Sequence, residues 1–258
     1  MPMPLFCSIR TCISRLICLF TLCYLPALAL WAPPSSSRAQ SAIMAVDARL
    51  RNLFAERGLA YPPQHLFFRI FKSESVLEVW AADQAAQAMT LVKTYPVCAM
   101  SGELGPKRKQ GDFQVPEGFY YIDHYNPYST YYLSLRINYP NASDRALSRH
   151  SHLGGDIYIH GDCVSEGCMA MTDGNIKELY SLATQAQARG QSRIPVHIFP
   201  ARLSEFKLNI LRRLYAEEPE MVRFWTNLQA GYTHFQQSAQ VPSIGIGAAG
   251  QYELNKQR

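Results

Sequence analysis

The sequence predicts an α+β protein with a mainly β core and helices at its margins, rather than an alternating βαβ chain. Three observations carry this. From Leu66 to Tyr139, short segments rich in β-branched and aromatic residues follow one another across polar turns. From Thr172 to Gly190, apolar residues recur at helical spacing, and after Arg202 that texture returns.

The chain opens on a segment that does not belong to this body. Arg10 and Arg15 precede an apolar run from Leu16 to Leu25, and Ala27-Leu28-Ala29 supplies small residues at the two positions a signal peptidase reads. Residues 1–29 therefore read as a secretory signal that directs the protein to the periplasm. The apolar run is shorter than the roughly 20 residues of a membrane span. Extension to Trp31 leaves an uncleaved anchor as the rival, so contact with the membrane is expected only through an uncleaved signal.

Residues 30–41 read as a Pro/Ser linker and 42–65 as an N-terminal helical segment, its helix at 42–57 stopped by Gly58. The strand-rich body spans 66–200. Its strands are expected at LFFRIFK, VLEVWAA, MTLVKTYPV, FYYIDHY, YYLSLRINY, DIYIH and PVHIF, the last two separated by a helix. Thr172-Asp173 can cap that helix, Ile176, Leu179, Tyr180, Ala183 and Ala186 form its stripe, and Gly190 ends it. Residues 201–238 form a C-terminal helical segment broken at Pro219, and 239–258 a loose Gly/Ser tail.

Composition sets limits. Of 258 residues, 48% are hydrophobic and 17% charged, which excludes a disordered chain. Loss of Arg10 and Arg15 with the signal takes the net charge from +5 to +3, too little to argue for nucleic acid, and no basic run interleaves with aromatics. Signal removal also takes Cys7, Cys12, Cys18 and Cys23, leaving Cys98, Cys163 and Cys168. An odd number in an exported protein leaves one thiol unpaired or paired with another chain.

The informative stretch runs from Asp156 to Met171. A strand carries His160 to its end, a turn holding Gly161 and Gly167 follows, and Cys168 stands shortly before Thr172. A thiol near a helix start feels the positive end of the dipole, which lowers its pKa. A neighbouring imidazole can take its proton, and amides around Gly167–Cys168 can hold an oxyanion. Taken singly, a Cys is more often a small buried hydrophobe and a strand-end His a satisfied structural residue. Their conjunction favours catalysis. His150, His152, His160, Cys163 and Cys168 are potential zinc ligands, but their spacings fit no common pattern. No metal and no cofactor are expected.

The pattern I-H-G-x-x-x-S-x-G-C-x-x-M from Ile159 resembles the signature of the YkuD-type L,D-transpeptidases, which remodel peptidoglycan. Leu104–Tyr120 resembles the block that precedes it in the family. That stretch, Asn138-Tyr139-Pro140-Asn141 and the short His–Cys gap are similar to the YafK-like branch. The resemblance covers roughly residues 66–200 and implies a mixed-sheet β-sandwich as the catalytic domain. It implies Cys168 as nucleophile and His160 as general base, with Ser165, Gly167 and Gly161 shaping the turn and oxyanion site. The cysteine would attack the carbonyl at the L-centre of the third stem-peptide residue. An amine then captures the thioester, forming a cross-link or attaching a protein. The alternatives are hydrolysis, which in this branch detaches a peptidoglycan-linked lipoprotein, and a catalytically idle wall-binding module. Glu166 and Ala170 stand where many members carry His and Arg, which leaves the acyl acceptor open.

Lys107, Lys109, Gln114, Glu117 and Asn138 are candidates for holding stem peptides. Lys107, Arg108 and Lys109 can receive carboxylates, although a charge run is more often a solvated turn. Glu166 beside the thiol can raise its pKa by repulsion. If Cys163 bonded Cys168 the nucleophile would be blocked. Pairing of Cys98 with Cys163 resolves the odd count and leaves Cys168 free.

Overall fold

The computed structural model describes residues 35–255 apart from Ala86. The expected signal and residues 30–34 of the linker lie outside these residues. The first helix, α1 (Ser37–Glu56), starts earlier than the expected residue 42. Ser36 caps it by accepting from the Ala39 amide, and Ala39 and Ala42 extend the buried stripe of Val46, Leu50 and Phe54 toward the N-terminus. A stripe that begins with two alanines is easily read as linker.

The body contains β1 (His65–Phe71), β2 (Val76–Ala82), β3 (Thr90–Pro96), β4 (Gly118–Asn126), β5 (Ser134–Ile137), α2 (Ala142–Leu147), β6 (Tyr158–His160), β7 (Met169–Ala170), α3 (Thr172–Ala188) and β8 (Ile194–Phe199). Its strands form one mixed sheet in the order β3-β2-β1-β8-β4-β5-β6-β7. The β1–β8 and β6–β7 pairs are parallel and the others antiparallel. Central β1 carries large apolar side chains on both faces, as expected of a strand covered on both sides. Leu66, Phe68 and Ile70 enter the larger core with the stripes of α1 and α3. Phe71 enters a second core with Leu208, Leu211, Phe224, Trp225, Leu228 and Tyr232, while Phe67 packs on Phe235. Arg69 on that second face is buried against its cross-strand partner Glu78, with Nη2 donating to Oε2 at 2.7 Å.

The opposite edges of the sheet meet beyond β3. The Cys98 amide donates to the Ala170 carbonyl at 2.7 Å, and the Ala170 amide donates to Ala99 at 3.0 Å. The implied sandwich is thus one continuous sheet bent back on itself. This closure places Cys98 beside the turn that precedes β7.

The C-terminal helices are α4 (Glu205–Leu214) and α5 (Pro219–Ser238), with Pro219 opening α5 where its missing N–H costs nothing. The tail expected to be loose instead forms a hairpin of β9 (Ile244–Ile246) and β10 (Tyr252–Leu254). Tyr252 exchanges backbone bonds with the Asn227 side chain and is buried, so packing overrides the Gly/Ser composition. Among the described residues, no helix is long and apolar enough to cross a membrane.

Candidate active site

β6 and β7 pair with Ile159 opposite Met169 and His160 opposite Ala170. Cys168, one residue ahead of β7, is thereby level with Tyr158, whose amide donates to Sγ at 3.4 Å. His160 follows Tyr158 by two strand residues, a rise of about 7 Å. A short parallel strand, rather than the start of α3, therefore sets Cys168 just ahead of the strand paired with that of His160. Met171 is the N-cap of α3 and makes no side-chain cap bond, while Asp173 Oδ1 instead accepts from the Asp162 amide. Thr172 Oγ1 accepts from the Asn175 amide at 3.5 Å, the bond expected of a cap at Thr172, whereas Asp173 turns to the preceding loop.

The thiol is a resting acid. Sγ donates to the Asp156 carbonyl at 3.7 Å as it accepts from Tyr158. Burial pushes its pKa above the usual thiol value, the Tyr158 amide and the Lys107 charge pull the other way, and Asp156 adds to the rise. Glu166 is exposed and is not among the charges acting on the thiol.

His160 is buried, and burial holds it below the ordinary imidazole value, against the opposing pull of the Gly161 carbonyl and Asp162. Nδ1 lies 2.6 Å from that carbonyl. The ring of Tyr131 lies over the imidazole, with centroids 4.7 Å apart. At neutral pH Cys168 is thus an uncharged thiol and His160 an uncharged imidazole, on paired strands.

Two serines lock the turn. Ser165 Oγ donates to the Cys168 carbonyl at 2.8 Å and accepts from the Cys168 amide at 3.1 Å. Ser101 Oγ accepts from the Gly167 amide at 2.6 Å and donates to the Phe113 carbonyl at 2.7 Å. Both amides expected to face an oxyanion are therefore engaged within the turn. Gly167 needs its absent side chain, with φ at +103° and the Gln114 carbonyl 3.2 Å from an added Cβ. At Gly161, a Cβ would lie 2.6 Å from Asp173 and 2.7 Å from the Tyr131 carbonyl.

The other candidates separate. Lys107 is buried, its ammonium donating to Asp112 and the Lys109 carbonyl, yet it is close enough to act electrostatically on Cys168. Lys109 is exposed, and its amide donates to Asp112. Gln114 Oε1 accepts from the Glu103 amide. Glu117 is fully buried between Lys72 at 3.0 Å, Trp225 at 2.7 Å and the Gly105 amide, so no incoming peptide reaches it. Asn138 Oδ1 accepts from the Tyr121 amide and secures β4 against the chain after β5. These last two are structural groups, a correction to their candidacy. Cys98 and Cys163 are joined in a disulfide with Cα atoms 5.4 Å apart, and Cys168 is free.

Sequence reasoning missed Ser101, Tyr131 and the backbone of Asp156 and Tyr158. Ser101 and Tyr131 are far from the motif along the chain, and a backbone group leaves no residue-type signal. Among the described residues, no three His, Cys, Asp or Glu side chains gather to hold a metal ion.

A free thiol and a neutral imidazole on paired strands, with the turn held from both sides, are the groups that a cysteine nucleophile and its base would require. The family model for the YkuD L,D-transpeptidase catalytic domain matches residues 67–198. The chain belongs to this family. It is 37% identical over 193 residues, 74% of each chain, to the protein named "Putative L,D-transpeptidase YafK" in Escherichia coli strain K12, with the same figures for strain O157:H7. It is also similar to the solved structure of the helical cell shape determining protein Pgp2 from Campylobacter jejuni, with 16% identity, a TM-score of 0.43 and coverage of 77% of this chain and 80% of that one. Against Bdellovibrio bacteriovorus Bd1075 the identity is 22% and the TM-score 0.38, over 62% of this chain and 57% of that one.

Proposed function

We propose that this protein is a periplasmic cysteine acyltransferase acting on peptidoglycan stem peptides, with Cys168 as nucleophile and His160 as general base. The observation that carries the reading is the free Cys168 thiol just ahead of the strand paired with that of His160, whose imidazole is held below its ordinary pKa by burial. His160 takes the thiol proton as Sγ attacks the carbonyl at the L-centre of the third stem residue. The C–N bond breaks, His160 returns the proton to the departing amine, and a thioester remains. An incoming amine then attacks, gives its proton to His160, and forms an amide as the C–S bond breaks. The thiol regains that proton. Gly161 and Gly167 permit the close turn, Ser165 holds the Cys168 backbone, and Lys107 favours the developing negative charge on sulfur.

Water can replace the amine at the same thioester. Glu166 and Ala170 stand where many members of the family carry His and Arg, which leaves open this second outcome, in which a lipoprotein or stem peptide is released. Incubation with purified sacculi, with and without attached lipoprotein, followed by muropeptide analysis separates the outcomes. New cross-links or newly attached protein support transfer. Released lipoprotein or stem peptides mean hydrolysis, and binding without either change means an idle wall-binding module.

A further inference from the structure

A cleft of about 570 Å³ is lined by Gln110, Pro140, Arg145, His150, His152 and Gly154 among others. Its volume is within the range of small-ligand sites. The cleft wall holds Arg145, His150 and His152 but no Asp or Glu. Among the described residues, the Arg145 guanidinium makes no hydrogen bond or ion pair, in contrast to its basic neighbours. Lys107 is tied to Asp112, and Arg108 is tied to Asp144. The cleft therefore presents an unpaired guanidinium that can donate a fork of hydrogen bonds to a carboxylate.

The wall is already built. The Gln110 amide donates to the His152 carbonyl at 2.9 Å, and Ser148 Oγ donates to the Arg108 carbonyl at 2.7 Å while accepting from the His150 amide at 3.0 Å. The Tyr139 hydroxyl donates toward the Lys107 and Leu153 carbonyls at 3.3 Å beneath. The cleft also adjoins the chemistry. Gly154 is two residues from Asp156, whose carbonyl meets Sγ, and two residues span at most about 7 Å.

We infer that this cleft is the carboxylate-recognition subsite of the peptide substrate, with Arg145 as its principal donor and His150 and His152 beside it. The inference rests on the stem-peptide reading above and adds the specificity that reading lacks. A free carboxylate seated on Arg145 orients the peptide so that the carbonyl to be attacked lies over Cys168. Arg145 is a binding residue here and takes no part in proton transfer.

The test uses the full chain with Cys168→Ala, which prevents turnover, and calorimetric binding of a stem-derived tetrapeptide with free carboxylates. Arg145→Gln in that background should weaken binding tenfold or more, as should amidation of the peptide's carboxylates. In the active protein, Arg145→Gln should raise KM with kcat retained, since it removes binding shared by ground and transition states. Arg145 is an exposed residue, so thermal melting of both variants should match their parents. Equal peptide affinity with and without Arg145 overturns the subsite and leaves the acyltransferase reading standing. Failure of the Cys168→Ala protein to bind any stem peptide overturns both. Competition by inorganic phosphate at the peptide's own concentration reveals a general anion site and also overturns the assignment.

Discussion

His160 Nδ1 sits 2.6 Å from the carbonyl oxygen of Gly161. A carbonyl can only accept, so Nδ1 carries the hydrogen, and in a neutral ring Nε2 is then the free base. That one bond fixes the tautomer that a proton-accepting histidine needs, in a place where burial already disfavours the imidazolium.

The pH behaviour follows from these shifts. With the thiol above its ordinary value of 9.0, little thiolate exists at neutral pH. The rate of Cys168 alkylation by iodoacetamide should therefore keep climbing beyond pH 9. With His160 below 6.5, the base stays unprotonated further into acid, and kcat/KM should hold its plateau to pH values under 6.5. A preformed thiolate–imidazolium pair would instead show fast alkylation that is level across neutral pH.

Ser165 holds both backbone groups of Cys168, so Ser165→Ala should let the nucleophile drift. A displacement of about 1 Å can cost about a hundredfold in rate. We expect kcat to fall about 10- to 100-fold with the thermal transition little changed. Steady-state kinetics alongside melting would show this, and an unchanged kcat would remove Ser165 from the positioning role.

Glu117 is predicted to matter for stability and not for substrate. Glu117→Ala leaves Lys72 buried without its carboxylate and strands the Trp225 N–H. Removing one partner of a buried pair costs about 3–5 kcal/mol. Denaturant unfolding should register that loss, whereas KM of the folded fraction should stay at the parent value.

The Cys98–Cys163 bond closes a sequence separation of 65 residues. Loop-closure entropy for such a span predicts a stabilisation of about 4 kcal/mol. Replacing both cysteines with serine should lower the urea midpoint accordingly, and thiol titration of the folded parent, freed of the expected signal, should find one group. Two or three reactive thiols would contradict the pairing.

Much of this was legible in the sequence because apolar periodicity reports burial directly. The β1 and β4 strands and the stripe of α3 are examples. The His160 and Cys168 candidates were legible because Gly161 and Gly167 mark a chain that must turn tightly. What escaped depends on tertiary contacts. β7 is two residues long and gives no periodic signal, so Cys168 read as part of a helix approach. Ser101 is 66 residues from Gly167, and only sheet closure brings it there. Glu117 looked like a surface acid because its partners, Lys72 and Trp225, lie on elements far along the chain. The tail read as loose because Gly and Ser conceal Tyr252, whose burial pins β10 to α5.

In the proposed reaction Cys168 carries the acyl group. Intact-mass measurement after brief incubation with a stem-derived tetrapeptide and an acid quench tests it most directly. The expected result is an added mass equal to the acylating peptide fragment, mapped to Cys168 and released by hydroxylamine, with no adduct on Cys168→Ala. Turnover by the Cys168→Ala protein, or an adduct that persists without the thiol, would contradict it.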